Sequence, residues 1–168
     1  MEQRYIKIAL AVTVALLAGL WAINNLLNWE TARGAVAYAL SQDNQSSGYT
    51  VHIVPPIKSQ FAATVGLIAI ILTEGTAGLL ALTGAWSMWL QRNAETANFA
   101  ASKRFAILGA GIAVLNWFFG FMVIGGTLIM MGQAEGMEGA MRGAIQMATL
   151  SFLALVYLSM SEPPRAAE

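Results

Sequence analysis

Four apolar runs, each long enough to cross a lipid bilayer, limit what this chain can fold into. A hydrocarbon core about 30 Å thick needs about 20 helical residues at about 1.5 Å per residue. The first run, Ile8 to Trp29, is uncharged, and the second, Phe61 to Trp89, contains one ionisable residue, Glu74. The third, Phe105 to Met131, carries no charge, and the fourth, Gly143 to Met160, is the shortest but still long enough. The expected fold is all-α, an integral membrane four-transmembrane-helix bundle. Its helices should lie at about 5–29, 61–90, 105–131 and 143–160 of a single membrane domain spanning 1–168.

Composition supports lipid as the solvent. Hydrophobic residues make up 57% of the chain and charged residues 11%, against roughly 45–50% and about 25% in soluble domains. The Arg4 and Lys7 that precede the first run also suit a signal peptide. That run is too long for a signal h-region and lacks a good small-residue cleavage site, so an uncleaved anchor is expected.

Orientation follows from the basic residues, which are enriched in cytoplasmic loops. Arg4, Lys7, Arg92, Lys103, Arg104 and Arg165 lie at the termini and in the second loop, whereas the first and third loops hold only Arg33, Lys58 and Arg142. Both termini are therefore expected to be cytoplasmic. Tyr5, Trp86, Trp89 and Tyr157 fall at the same boundary as amphipathic anchors, with Trp29 at the opposite one. In the outer loop, 30–60, the alanine-rich stretch Thr31 to Leu40 suits a short surface helix. Asp43 to Gly48 suits a polar turn, and Pro55-Pro56 should end regular structure. This loop is expected to be a connector that caps the outer end of the bundle.

Several chemistries are excluded. With no cysteine there are no disulfides, thiolate metal sites, Fe–S clusters or covalent haem attachments. A single histidine, His52, rules out bis-histidine haem, a histidine-rich metal site and a serine-hydrolase triad with a spare base. Met130, Met131, Met137 and Met141 cluster near the third loop, where they serve better as flexible apolar filler than as a metal path. Gly109 to Gly111 follow no strand, so they are packing glycines and not a dinucleotide fingerprint. The net charge is zero with no long basic block, so no nucleic-acid partner is indicated. No catalytic residue, cofactor or metal is expected, and the chain is read as non-enzymatic.

Glu74 is the sharpest signal, because a carboxylate within a membrane span is costly and normally faces protein or a water-filled cavity. Ala77, Gly78, Ala81 and Ala85 share its helical face, a surface for close helix approach. Gly109, Ala113, Asn116 and Gly120 form a matching face on the third run, with Asn116 at nearly the same depth. A Glu74–Asn116 hydrogen bond would satisfy both groups. This intramembrane polar pair is read either as a register lock between helices or as a proton or ion site.

The wording of these spans resembles the bacterial family of predicted small integral membrane proteins known as domain of unknown function 2165. The residues that carry the resemblance are Arg4-Tyr5, Asn24-Asn25-Leu26, Leu40-Ser41-Gln42-Asp43, Thr73-Glu74, Leu82-Thr83-Gly84-Ala85-Trp86, Asn116-Trp117-Phe118-Phe119-Gly120-Phe121 and Ile124-Gly125-Gly126. They occur in order over most of the chain. The resemblance implies a four-helix membrane fold and carries no activity, cofactor or catalytic residue with it.

A small bundle with short loops and several small-residue faces is suited to association. The expected role is an accessory or structural subunit of a larger respiratory or photosynthetic complex in the bacterial cytoplasmic membrane, in contact with membrane lipids. The alternative is a small proton or ion transporter using Glu74, which would require a homo-oligomer to leave a path.

Overall fold

The computed structural model describes residues 2–43, 45 and 51–162. Six α-helices carry the chain: α1 (Glu2–Leu27), α2 (Trp29–Ser41), α3 (Gln60–Leu90), α4 (Thr96–Ser102), α5 (Arg104–Val114) and α6 (Glu138–Ser159). A π-helical segment, Leu115–Leu128, continues α5, and a short 3-10 turn, Met131–Gln133, leads towards α6. The four apolar spans are present as Glu2–Leu27, Gln60–Leu90, Thr96–Leu128 and Glu138–Ser159. Only helices and closed barrels satisfy every backbone N–H and C=O within lipid. Among the described residues the sole β pairing is an isolated bridge between Gln45 and Ala134.

Helix α3 is the centre of the bundle and packs most extensively on α1 and α5, while α6 closes against α5 and the π-helical segment. Helix α1 presents Ala11, Ala15, Ala18 and Ala22, all buried, at the alternating spacing that lines one helical stripe. Its end is a bend at Asn28, where the Asn28 amide donates to the carbonyl and side-chain oxygens of Asn24. Helix α2 follows at once and lies along the first turns of α3, so close that a Cβ on Gly66 would sit 3.1 Å from Val36 Cγ1. The surface helix expected at Thr31–Leu40 is thus a helix packed against α3. Of the polar turn expected at Asp43 to Gly48, only Asp43 and Gln45 lie among the described residues.

Ser59 starts α3 as a capping residue, its hydroxyl accepting from Ala62 N at 3.3 Å. At 31 residues, or about 46 Å at about 1.5 Å per residue, α3 exceeds the hydrocarbon layer, and α2 flanks the excess. Two expected boundaries shift. Helix α6 begins at Glu138, five residues before the apolar run, because its first turn is polar and invisible to an apolar-run criterion. The third span starts at Thr96 and not at 105, because α4 leads directly into α5.

The third span departs from the expected continuous α-helix over 105–131. From Leu115 its backbone bonds run from each N–H to the carbonyl five residues back, as in Ile129 N to Ile124 O at 3.0 Å. The turn is wider than in an α-helix, and every face beyond Asn116 is rotated from its α-helical position.

Candidate functional site

The polar residues of the spans meet where α1, α3 and the start of the π-helical segment come together. Glu74 is 2% exposed and accepts a hydrogen bond from Asn25 Nδ2 at 2.9 Å. One residue earlier on α3, Thr73 donates to Asn116 Oδ1 at 2.7 Å. The expected Glu74–Asn116 pair is brought together but its bond is not closed: the buried Asn116 Nδ2 has no partner within hydrogen-bonding geometry, while the side chain lies near enough to act on the Glu74 carboxyl. The reason is geometric. Glu74 sits on the side of α3 that faces α1, and Asn116 approaches from the α5 side, level with Thr73.

The small residues expected to join the second and third spans divide between two neighbours. A Cβ on Gly78 would lie 2.9 Å from Gly19 N and 3.2 Å from Ala15 O, so Gly78 meets α1 and not the third span. Gly109 does meet α3: its Cβ would sit 2.5 Å from Ala81 N and 2.7 Å from Ala77 O. Ala81, Ala85 and Ala113 are buried in the same core. Gly120 is a correction. Nothing lies within 4 Å of its Cβ position, because π-helical winding turns it off the face of Asn116 and brings Phe121 onto the core instead. Gly84 was not singled out, yet a Cβ there would collide with the Ala106 backbone. Its place three residues after Ala81 and seven after Ala77 was the available signal.

A second polar constellation, which the sequence reading did not find, closes the end of the bundle that bears the N-terminus. Lys7 and Lys103, 1% and 4% exposed, converge on the segment after α6. Lys7 Nζ donates to Met160 O and to Glu162 Oε1, both at 2.6 Å. Lys103 Nζ reaches the same two oxygens at 2.7 and 3.3 Å. Beside them, buried Arg4 donates to the carbonyls of Arg92 at 2.9 Å and Ala94 at 2.6 Å, and its guanidinium lies 4.6 Å from the Phe99 ring centroid. Burial pushes the Glu162 carboxyl up, but the hydrogen bonds from the two lysines outweigh it and hold the group below the usual carboxylate value. This clasp joins α1, the α4–α5 junction and the chain after α6.

The clasp and the Glu74 site are far apart. Lys7 and Asn25 stand on one helix, about 27 Å from each other along its axis at about 1.5 Å per residue. Elsewhere, His52 Nδ1 is buried without a hydrogen-bond partner. Among the described residues no three His, Cys, Asp or Glu side chains group as a metal site. Met131 packs onto Gly125, and Met141 onto Gly126 and Gly132, filling the space beside the π-helical turns.

Four apolar spans joined by internal polar ties define an integral membrane helix bundle. The chain belongs to the family described as predicted small integral membrane protein (DUF2165), whose model matches residues 3–161. No curated protein and no solved structure matches it.

Proposed function

We propose that this chain is a non-enzymatic accessory subunit of a larger bacterial membrane complex, respiratory or photosynthetic, with both termini on the cytoplasmic side of the inner membrane. The observation that carries the reading is the Asn25–Glu74 hydrogen bond, which engages the carboxyl midway along α3 in a tie between two helices. Taking the clasp as one interface, Glu74 comes near the other, since the two are separated by about the thickness of the hydrocarbon layer. A carboxyl at that depth serves as an anchor for helix register. The outward faces of all four spans carry large apolar side chains, among them Leu20, Leu82, Phe118 and Leu153, which suit lipid or a neighbouring apolar subunit. Purification in mild detergent from native membranes tests the proposal: a stoichiometric larger partner is expected, and recovery of this chain alone or only with itself would refute it.

A second reading is favoured by Asn116, whose buried Nδ2 lies unpaired beside the Glu74 carboxyl where the helix changes to π-helical winding. π-Helical turns often mark functional positions. In this reading Glu74 exchanges a proton or ion and the chain works as a homo-oligomer. Glu74→Gln discriminates, because the amide keeps size and hydrogen bonding but has no titrating proton. Loss of proton flux in vesicles with intact folding would support transport, and unchanged assembly and function would support the anchor.

A further inference from the structure

The end of the bundle that holds the clasp also carries an open cavity of about 440 Å³ between the last turns of α3 and α4. Ser87, Gln91, Asn98, Ala101 and Ser102 line it, so it offers hydroxyls and carboxamides and no charged side chain. Its depth is marked by Trp89, which is half-exposed and packs edge-on against Tyr5 with ring centroids 6.2 Å apart. Such rings sit at the level of lipid headgroups.

The cavity is bordered in the chain by cations. Arg92 follows Gln91, with its guanidinium 4.3 Å from the Trp89 ring centroid and bonded to Trp89 O. Arg104 lies two residues after Ser102, 4.5 Å from the Phe105 ring centroid. Arg104 is exposed and Arg92 stacks on the Trp89 side of α3, so both act on the cavity through their field at the membrane surface and not by contact. Behind Ser102 stands the clasp, where Arg4, Lys7 and Lys103 face one carboxylate, Glu162, among the described residues. Glu2 and Glu95 are the other described carboxylates at this end, so five cations stand against three anions. Exposed Trp86 and Leu90 on α3 add an apolar wall directed at the membrane.

We propose that this cavity seats the phosphate-bearing headgroup of an anionic phospholipid. Ser87, Gln91 and Asn98 donate hydrogen bonds to its oxygens, Arg92 and Arg104 supply the attraction, and the acyl chains descend along Trp86 and Leu90. Neutral donors give the phosphate directional partners, and the flanking arginines give the preference for negative charge.

The test uses the purified full-length protein in detergent and native mass spectrometry with dioleoylphosphatidylglycerol and dioleoylphosphatidylcholine, which differ only in headgroup. The wild type should retain the anionic lipid preferentially. The Arg92→Gln/Arg104→Gln variant should lose about fivefold of that preference per arginine, and Ser87→Leu, which fills the cavity, should weaken retention of both lipids. Circular dichroism verifies that each variant is folded. Equal retention of the two lipids by the wild type would overturn the proposal, as would a preference that survives in both variants. Free glycerol 3-phosphate distinguishes the source of the phosphate: displacement of the lipid by an equal concentration would show a site for soluble phosphate and overturn the lipid assignment.

Discussion

Asn25 Nδ2 and Glu74 Oε2 stand 2.9 Å apart, joining the last turn of α1 to the middle of α3. A polar bond between helices in a membrane is typically worth about 0.6 kcal/mol and at most about 1.7 kcal/mol. Its value here is measurable by a double-mutant cycle of Asn25→Leu and Glu74→Leu, with unfolding followed in mixed micelles. Coupling in that range is expected between these two residues and a smaller one between Glu74 and Asn116. The reverse order would contradict the assignment of partners.

What the sequence reveals and what it hides separate along physical lines. Span positions are legible because bilayer thickness sets a minimum length for an apolar run. The inward direction of Glu74 is legible from the small residues at helical spacing around it. Its partner is not, because the choice between Asn25 and Asn116 depends on which helix flanks which side of α3. Asn25 sits at the outer end of the first span and looks like a boundary residue, until the bend at Asn28 and the length of α3 bring it level with Glu74. The π-helical winding after Leu115 has no compositional mark, and it is what removes Gly120 from the packing face. The clasp is hidden for another reason: Lys7, Lys103 and Glu162 read as ordinary ends of spans, and only tertiary structure shows that they are buried together.

Close approach of backbones predicts a graded response to leucine. At Gly84 the added side chain meets the Ala106 backbone, and at Gly109 it meets Ala81 and Ala77 O, neither of which can give way without moving a helix. Each substitution should destabilise by about 1–3 kcal/mol or more. Gly111→Leu and Gly120→Leu enter open space and should be nearly neutral. Unfolding midpoints for the four variants check this ordering, and a Gly120 variant as unstable as Gly109→Leu would show that the π-helical segment packs differently.

Topology can be read by single-cysteine labelling, since the native chain has no cysteine. Pro56 and Ala97 are exposed and lie at opposite ends of α3. Pro56→Cys should react with a membrane-impermeant maleimide added to intact spheroplasts, and Ala97→Cys only after permeabilisation. The opposite pattern would invert the orientation while leaving the bundle unchanged.

The clasp should make stability depend on pH in a defined direction. Lys7 and Lys103 hold the folded-state Glu162 carboxyl below its ordinary value of 4.5, so folding favours the ionised form. A group depressed in this way contributes its full stabilisation above the unfolded-state value and loses it as pH falls towards the lower folded-state one. Thermal stability in detergent should therefore be flat on account of this group at neutral pH and decline from about pH 4.5 downwards. Glu162→Gln should lower stability at neutral pH, since it leaves two buried ammoniums without a counter-charge, and should remove this part of the acid dependence. Lys7→Met should lower stability at neutral pH as well, but Lys103 still reaches Glu162 Oε1 at 3.3 Å, so part of the acid dependence should remain. An acid profile of Glu162→Gln that parallels the wild type would show that other carboxyls carry the dependence and that the clasp does not govern it.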